Sequence, residues 1–101
     1  MIVVRNVFRI KFGQARAAVA AWKEGMAIAG RTATGGRQHR LLTDLVGPDF
    51  YTLVFESTYD SLSEFERSAQ TLMAAPDWQA WYPKAAALSE GGYREILNLV
   101  E

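Results

Sequence analysis

The sequence predicts an α+β fold, and three observations carry that expectation. Apolar residues alternate with period two near both ends of the chain. They recur at helical spacing in two stretches between, and a Gly-Pro-Asp segment joins two further alternating runs. The order is strand, helix, strand, strand, helix, strand. This is the ferredoxin-like βαββαβ pattern, an antiparallel sheet with helices on one face.

Ile2 to Phe12 alternates, with Ile2, Val4, Asn6, Phe8, Ile10 and Phe12 on one face and Val3, Arg5, Val7, Arg9 and Lys11 on the other. Gly13 ends this strand. From Gln14 to Ala29 the period becomes helical, with Ala15, Ala18, Val19, Trp22, Met26 and Ala29 on one side, and Gly30 is placed to terminate the helix. Arg31 to Gly36 reads as a loop. Arg37 to Val46 is a second strand and Phe50 to Ser57 a third, paired as an antiparallel hairpin across Gly47-Pro48-Asp49. Asp60 is placed to cap a second helix bearing Leu62, Phe65, Ala69, Leu72 and Met73. Pro76 interrupts it and suits the first position of a new helical turn, which runs toward Leu88. Gly91-Gly92 breaks the chain, and Tyr93 to Val100 is the last strand.

At 101 residues the chain makes a single domain, and a hydrophobic content of 50% is ample for its core. No apolar run approaches the roughly 20 residues a membrane helix needs. Arginines at positions 5 and 9 interrupt the apolar start, which reads as a strand rather than a secretory leader, so a cytoplasmic protein is expected. A formal net charge of zero and a pI of 6.6 give no basic footprint for nucleic acid. Five of the 11 basic residues (Arg5, Arg9, Lys11, Arg16 and Lys23) lie in the first quarter and read as solvated or dimer-buried side chains. The absence of cysteine excludes disulfides, a thiol nucleophile and thiolate metal ligands. With His39 the single histidine, one chain cannot build a multi-histidine zinc or iron site, and no cofactor is expected.

Tyr51, Leu53 and Phe55 share one face of the third strand, and Val54 with Thr52 the other. In the last strand Ile96 and Val100 oppose Leu97 and Leu99. Helices cover one side of such a sheet. The other would be a large exposed apolar patch, and a second subunit packed sheet against sheet is its simplest cover. A homodimer is therefore expected.

The chain resembles the NIPSNAP-like family of the dimeric α+β barrel superfamily. The likeness spans the opening strand, the first helix with Trp22, and the paired strands ending Phe55-Glu56-Ser57. It continues through Tyr59-Asp60-Ser61-Leu62 and the segment Ala75-Pro76-Asp77-Trp78-Gln79-Ala80-Trp81, which is similar to the family's proline-acidic-tryptophan-glutamine-alanine-aromatic signature. The resemblance implies two subunits closing their sheets into one barrel, often with a pocket between each sheet and its helices. Pro83 departs from the family's continuous helix, so a kink or an end is expected there. Haem-degrading members of the superfamily are similar at Asn6. They also need a tryptophan and a histidine on the second helix; Phe65-Glu66-Arg67-Ser68 contains no tryptophan and Trp78 to Tyr82 no histidine, so haem would have no axial imidazole.

Asn6 is the polar side chain on an otherwise apolar strand face. It is either a ligand-orienting amide in a pocket or a satisfied structural one. Trp22, Trp78, Trp81 and Tyr82 are either core and dimer contacts or a stacking wall for a ligand; Trp78, Trp81 and Tyr82 fall at i, i+3 and i+4. His39, beside Arg37 and Arg40, is an edge histidine or a general base near neutral pH. Ser57, Ser61 and Ser63 lie at a strand end and a helix start, so no hydrolase triad is supported. Glu56 and Asp44 are a possible carboxylate pair across the hairpin. Gly35-Gly36 lacks the lysine and spacing of a phosphate loop.

These readings lead to a homodimer that binds a small apolar or aromatic molecule through Asn6, Trp22, His39, Trp78, Trp81 and Tyr82, with no nucleic acid or membrane partner. The alternatives are a cofactor-independent monooxygenase acting on an aromatic or polyketide-like substrate, and a structural or partner-binding dimer. A cavity of roughly 300 Å³ or more between sheet and helices would favour a ligand.

Overall fold

The computed structural model describes residues 1–33 and 35–101. Thr34, inside the loop expected over 31–36, lies outside the described residues. The elements are β1 (Ile2–Ile10), α1 (Ala15–Thr32), β2 (Arg37–Thr43), β3 (Thr52–Tyr59), α2 (Leu62–Met73), α3 (Pro76–Ala87) and β4 (Ser89–Asn98). The strands form one antiparallel sheet in the order β2-β3-β1-β4, the ferredoxin-like arrangement. The molecule measures 36 × 35 × 18 Å. A thickness of 18 Å holds one sheet and one helical layer, since packed layers lie about 10 Å apart.

Residue parity assigns the two faces of the sheet. Phe8 and Phe55 stack on Trp22 of α1, so the even residues of β1 and the odd residues of β3 face the helices. The core on that side joins Ile10, Ala18, Trp22, Ile28, Leu53, Trp81 and Ala85. α1 and α3 meet closely. A β-carbon at Gly25 would collide with the Trp81 ring, and Trp81 Nε1 donates to the Ala21 carbonyl at 2.8 Å. α2 is held more loosely; only Ser68 of its 12 residues is buried.

Several boundaries differ from the sequence expectation, each for a local reason. β1 ends at Ile10 rather than Phe12. α1 runs past Gly30 to Thr32; nothing surrounds the Gly30 position that would require a turn, and the helix stops where Ala33 becomes extended. β2 stops at Thr43 and β3 starts at Thr52, so the connection is a long loop rather than a tight hairpin. Asp44 closes its base, its Oδ1 accepting from the Thr52 amide at 2.8 Å. Leu45, Val46 and Phe50 of this loop stand in solvent. The cap of α2 is Ser61, whose Oγ accepts from the Glu64 amide at 3.2 Å. Asp60 instead pairs with Arg37 at 2.7 Å.

Pro76 opens α3 as expected, and the break at Ala74-Ala75 separates it from α2. Pro83 does not end α3, which continues to Ala87. The carbonyl it leaves without a donor is that of Gln79, an exposed residue that water can serve. Gly91-Gly92 does not break the chain: β4 runs through both. Gly92 lies so close to the Val7 carbonyl that a β-carbon there would overlap it, so the pair is a site of close strand approach.

The face away from the helices is mixed rather than wholly apolar. At one level Tyr93, Val7, Val54 and Leu42 form an apolar row; at the next, Glu95, Arg5, Glu56 and Arg40 form a charged one. The apolar expectation failed because charges and aliphatics alternate two residues apart along each strand. Among the described residues no helix is long and apolar enough to cross a membrane.

Candidate functional site

All six residues singled out in the sequence lie on the helical side of the sheet or in the helices packed there. Asn6 is opposite Phe55 in the β1–β3 register and opposite Arg94 in the β1–β4 register. Its Oδ1 accepts from Arg94 Nε at 2.7 Å, and the Arg94 guanidinium lies 5.4 Å over the Phe65 ring. Phe65 meets Tyr59 edge-on, with centroids 5.3 Å apart. Arg94, Phe65 and Tyr59 were missed by the sequence reading. Arg94 sits 88 positions from Asn6, and only strand register brings them together.

Trp22 is buried and stacks on Phe8 at 4.8 Å and Phe55 at 5.7 Å. Trp81 meets it edge-on at 4.9 Å, and half-buried Trp78 lies 4.6 Å from Trp81. These three tryptophans form one packed cluster. Trp22 Nε1 is buried with no hydrogen-bond partner among the described residues. Tyr82, 54% exposed, stands apart from the cluster on the solvent side of α3.

His39 reaches the helical side because of a β-bulge. The register slips between Arg37 and Arg40, and Gln38 adopts φ 53° in the left-handed region. The extra residue aims His39 at β3, where Nδ1 lies 2.6 Å from Ser57 Oγ and the ring is parallel to Phe55 at 6.1 Å. Ser57 is only 2% exposed, so its hydroxyl positions His39 and is not open to a substrate carbonyl. Glu56 and Asp44 do not form a carboxylate pair. Glu56 faces the opposite side with Arg5 and Arg40, while Asp44 is tied to the loop base.

Among the described residues, clefts of more than 300 Å³ are found at two places. One, of about 420 Å³, lies beside the start of α1, lined by Ala15, Arg16, Val19, Thr43, Asp44 and Tyr51. The other, of about 450 Å³, lies on the helix-free face under the 44–49 loop, between Val7, Val54 and Tyr93. None of the six candidate residues lines either cleft. Among the described residues no group of three or more His, Asp or Glu side chains could hold a metal ion. Arg37, at the far end of β2, holds the Asp60 carboxyl below its ordinary value by hydrogen bond and charge.

The chemistry of the Asn6–Arg94 pair is one-sided. With Oδ1 engaged, Asn6 has only its amide hydrogens to offer, and Arg94 is a donor throughout. Beside the Phe65 and Phe55 rings, such a pair suits an acceptor oxygen on a flat apolar body.

A sequence model of the NIPSNAP family matches residues 4–101. An uncharacterised NIPSNAP domain protein from Burkholderia xenovorans is similar in structure, with a TM-score of 0.86 and 25% identity over 99% of this chain and 95% of that one. A NIPSNAP family protein from Agrobacterium tumefaciens superposes with a TM-score of 0.87 and 23% identity, over 99% of this chain and 86% of that one. SnoaB, a cofactor-independent oxygenase from Streptomyces nogalater, shares the fold with a TM-score of 0.75 and 17% identity, over 99% of this chain and 93% of that one. No curated protein matches the sequence significantly.

Proposed function

The chain belongs to the NIPSNAP family, and from that premise we propose that it is a homodimer that binds a small aromatic or apolar molecule bearing an acceptor oxygen. The observation that carries the reading is the Asn6–Arg94 pair at 2.7 Å with Phe65 under the guanidinium. An exposed arginine held by both an amide and a ring has lost much of the freedom that ligand binding would otherwise have to freeze. The oxygen of a ketone, enolate or carboxylate would meet two donors, and its ring would lie along Phe65 and Phe55. Titration of intrinsic tryptophan fluorescence with aromatic carboxylates, phenols and quinones tests this. A binding compound should lose roughly ten- to hundredfold in affinity in Arg94→Ala, about 1.5–3 kcal/mol for a hydrogen bond to a charged group. If no compound binds, or if Arg94→Ala binds as well as the unmodified protein, the reading falls.

A second reading is a cofactor-independent oxygenase acting on an aromatic or polyketide-like substrate. The fold shared with SnoaB and the donor pair favour it, since two donors stabilise the oxyanion of a deprotonated, electron-rich ring. Oxygen consumption with the binding compounds separates the two readings.

A further inference from the structure

The cleft beside the start of α1 is the feature that the site above leaves unused. It holds about 420 Å³, within the range of small-molecule sites, and lies between the first turns of α1 and the end of the sheet where β2 stops and β3 begins. Two charges of opposite sign, Arg16 and Asp44, line this one cleft without pairing with each other. Arg16 makes no ion pair among the described residues. Asp44 is committed on one side. Its Oδ1 accepts from the Thr52 amide at 2.8 Å, and its own amide donates to the Thr52 carbonyl at 3.2 Å. The loop base therefore holds this carboxylate in place and leaves Oδ2 as an acceptor. The neighbouring wall is fixed as well. Tyr51 sits at φ 59°, in the left-handed region, which is rare for a bulky residue, and its carbonyl accepts from the Ile10 amide at 2.8 Å. Such strain persists only where the surrounding contacts enforce it, and binding sites are among the places where it gathers. Ala15 and Val19 of α1 supply the apolar side of the cleft.

We infer that this cleft binds a free α-amino acid with an apolar side chain. The ligand's carboxylate pairs with Arg16, its ammonium with Asp44, and its side chain lies against Ala15, Val19 and the Tyr51 ring. Arg16 supplies several donors suited to a carboxylate, and Asp44 an acceptor suited to an ammonium. A plain anion entering the cleft would meet the like charge of Asp44, and a plain amine that of Arg16. The two charges together therefore select a molecule that carries both. The cleft shares no residue with the Asn6–Arg94 site, so the inference goes beyond the function proposed above and does not rest on it.

Amide chemical shifts of the nitrogen-labelled full chain test this, because they locate a ligand as well as detect it. Leucine or phenylalanine at millimolar concentration should move the amides of Ala15, Val19 and Thr43 along a saturable curve. Isocaproate, which is leucine without its amino group, and isopentylamine, which is leucine without its carboxylate, should each bind at least about tenfold more weakly. Arg16→Gln should lower leucine affinity roughly ten- to hundredfold, the usual loss for a hydrogen bond to a charged group. Asp44→Asn should do the same; it removes the charge and keeps an oxygen for the Thr52 amide. If Asp44→Asn loosens the loop, seen as shifts there before any ligand is added, Arg16→Gln on the exposed surface of α1 decides the matter. Arg94→Ala should bind leucine as the unmodified protein does. The inference is overturned if these amides stay still at tens of millimolar amino acid, or if either singly charged analogue binds as tightly as leucine. It is also overturned if Arg16→Gln keeps full affinity, or if Arg94→Ala loses it, which would place the amino acid at the other site.

Discussion

The indole of Trp81 lies against the backbone of Gly25, in the space a β-carbon would fill. The two residues come from α3 and α1, and their contact fixes how closely those helices approach. It also places Trp81 Nε1 on the Ala21 carbonyl and Trp22 between two phenylalanines.

Gly25→Ala should therefore destabilise the fold although alanine is the better helix former. Forcing a methyl against a packed indole costs about 1–3 kcal/mol, more than the roughly 1 kcal/mol that alanine gains over glycine in a helix. In Trp81→Phe the smaller ring gives way, so the added penalty of Gly25→Ala should shrink or change sign. Thermal melts of the four variants measure the coupling. Additive effects would mean that the two residues do not share the space.

Glu56 is the buried carboxylate of the charged row, and removing it leaves Arg5, whose Nε is itself shielded from water, without its nearest anion. Glu56→Ala should cost about 1–3 kcal/mol, below the value for a fully buried pair because Arg40 and much of Arg5 reach solvent. Urea unfolding would show it as a lower midpoint with an unchanged slope. Glu56→Leu should recover little, since both arginines remain.

The Arg37–Asp60 link should confer a pH dependence of known sign. Arg37 holds the Asp60 carboxyl below its ordinary value of 3.8, so the folded state binds that proton less readily than the unfolded chain. The stabilisation is fully present above the ordinary value and fades as pH falls through the lowered one. Asp60→Asn should melt below the unmodified protein at pH 6, and the difference in melting temperature should shrink as the pH is taken below the ordinary value of 3.8. Both groups are exposed, so the gap should be small and narrow further in molar salt.

How much of this was legible in the sequence depended on the range of the cause. The order of strands and helices followed from period alone, and the new helical turn at Pro76 from the suitability of proline for a first helical position. Local punctuation misled where tertiary contact overruled it. Gly30 looked like a helix stop, but nothing in its surroundings demands one. Gly91-Gly92 looked like a break, yet Gly92 is there because the Val7 carbonyl leaves no room for a side chain. Asn6 could be singled out as a polar residue on an apolar face, but its partner could not, because Arg94 is reached only through the β1–β4 register. His39 shows the same limit. The bulge that aims it at Ser57 turns on a left-handed Gln38, a residue type that gives no warning of positive φ.

That bulge has a consequence beyond the direction of one imidazole. β2 is an edge of the sheet, and an edge with an even row of free amides and carbonyls invites any extended chain to add itself as a further strand. Between Arg37 and Arg40 the row is out of step, and positively charged side chains flank the gap. β2 is thereby a poor template. The opposite edge, β4, extends over ten residues, with Ile96 and Leu97 exposed. Of the two borders, it is the one along which misfolded copies would stack.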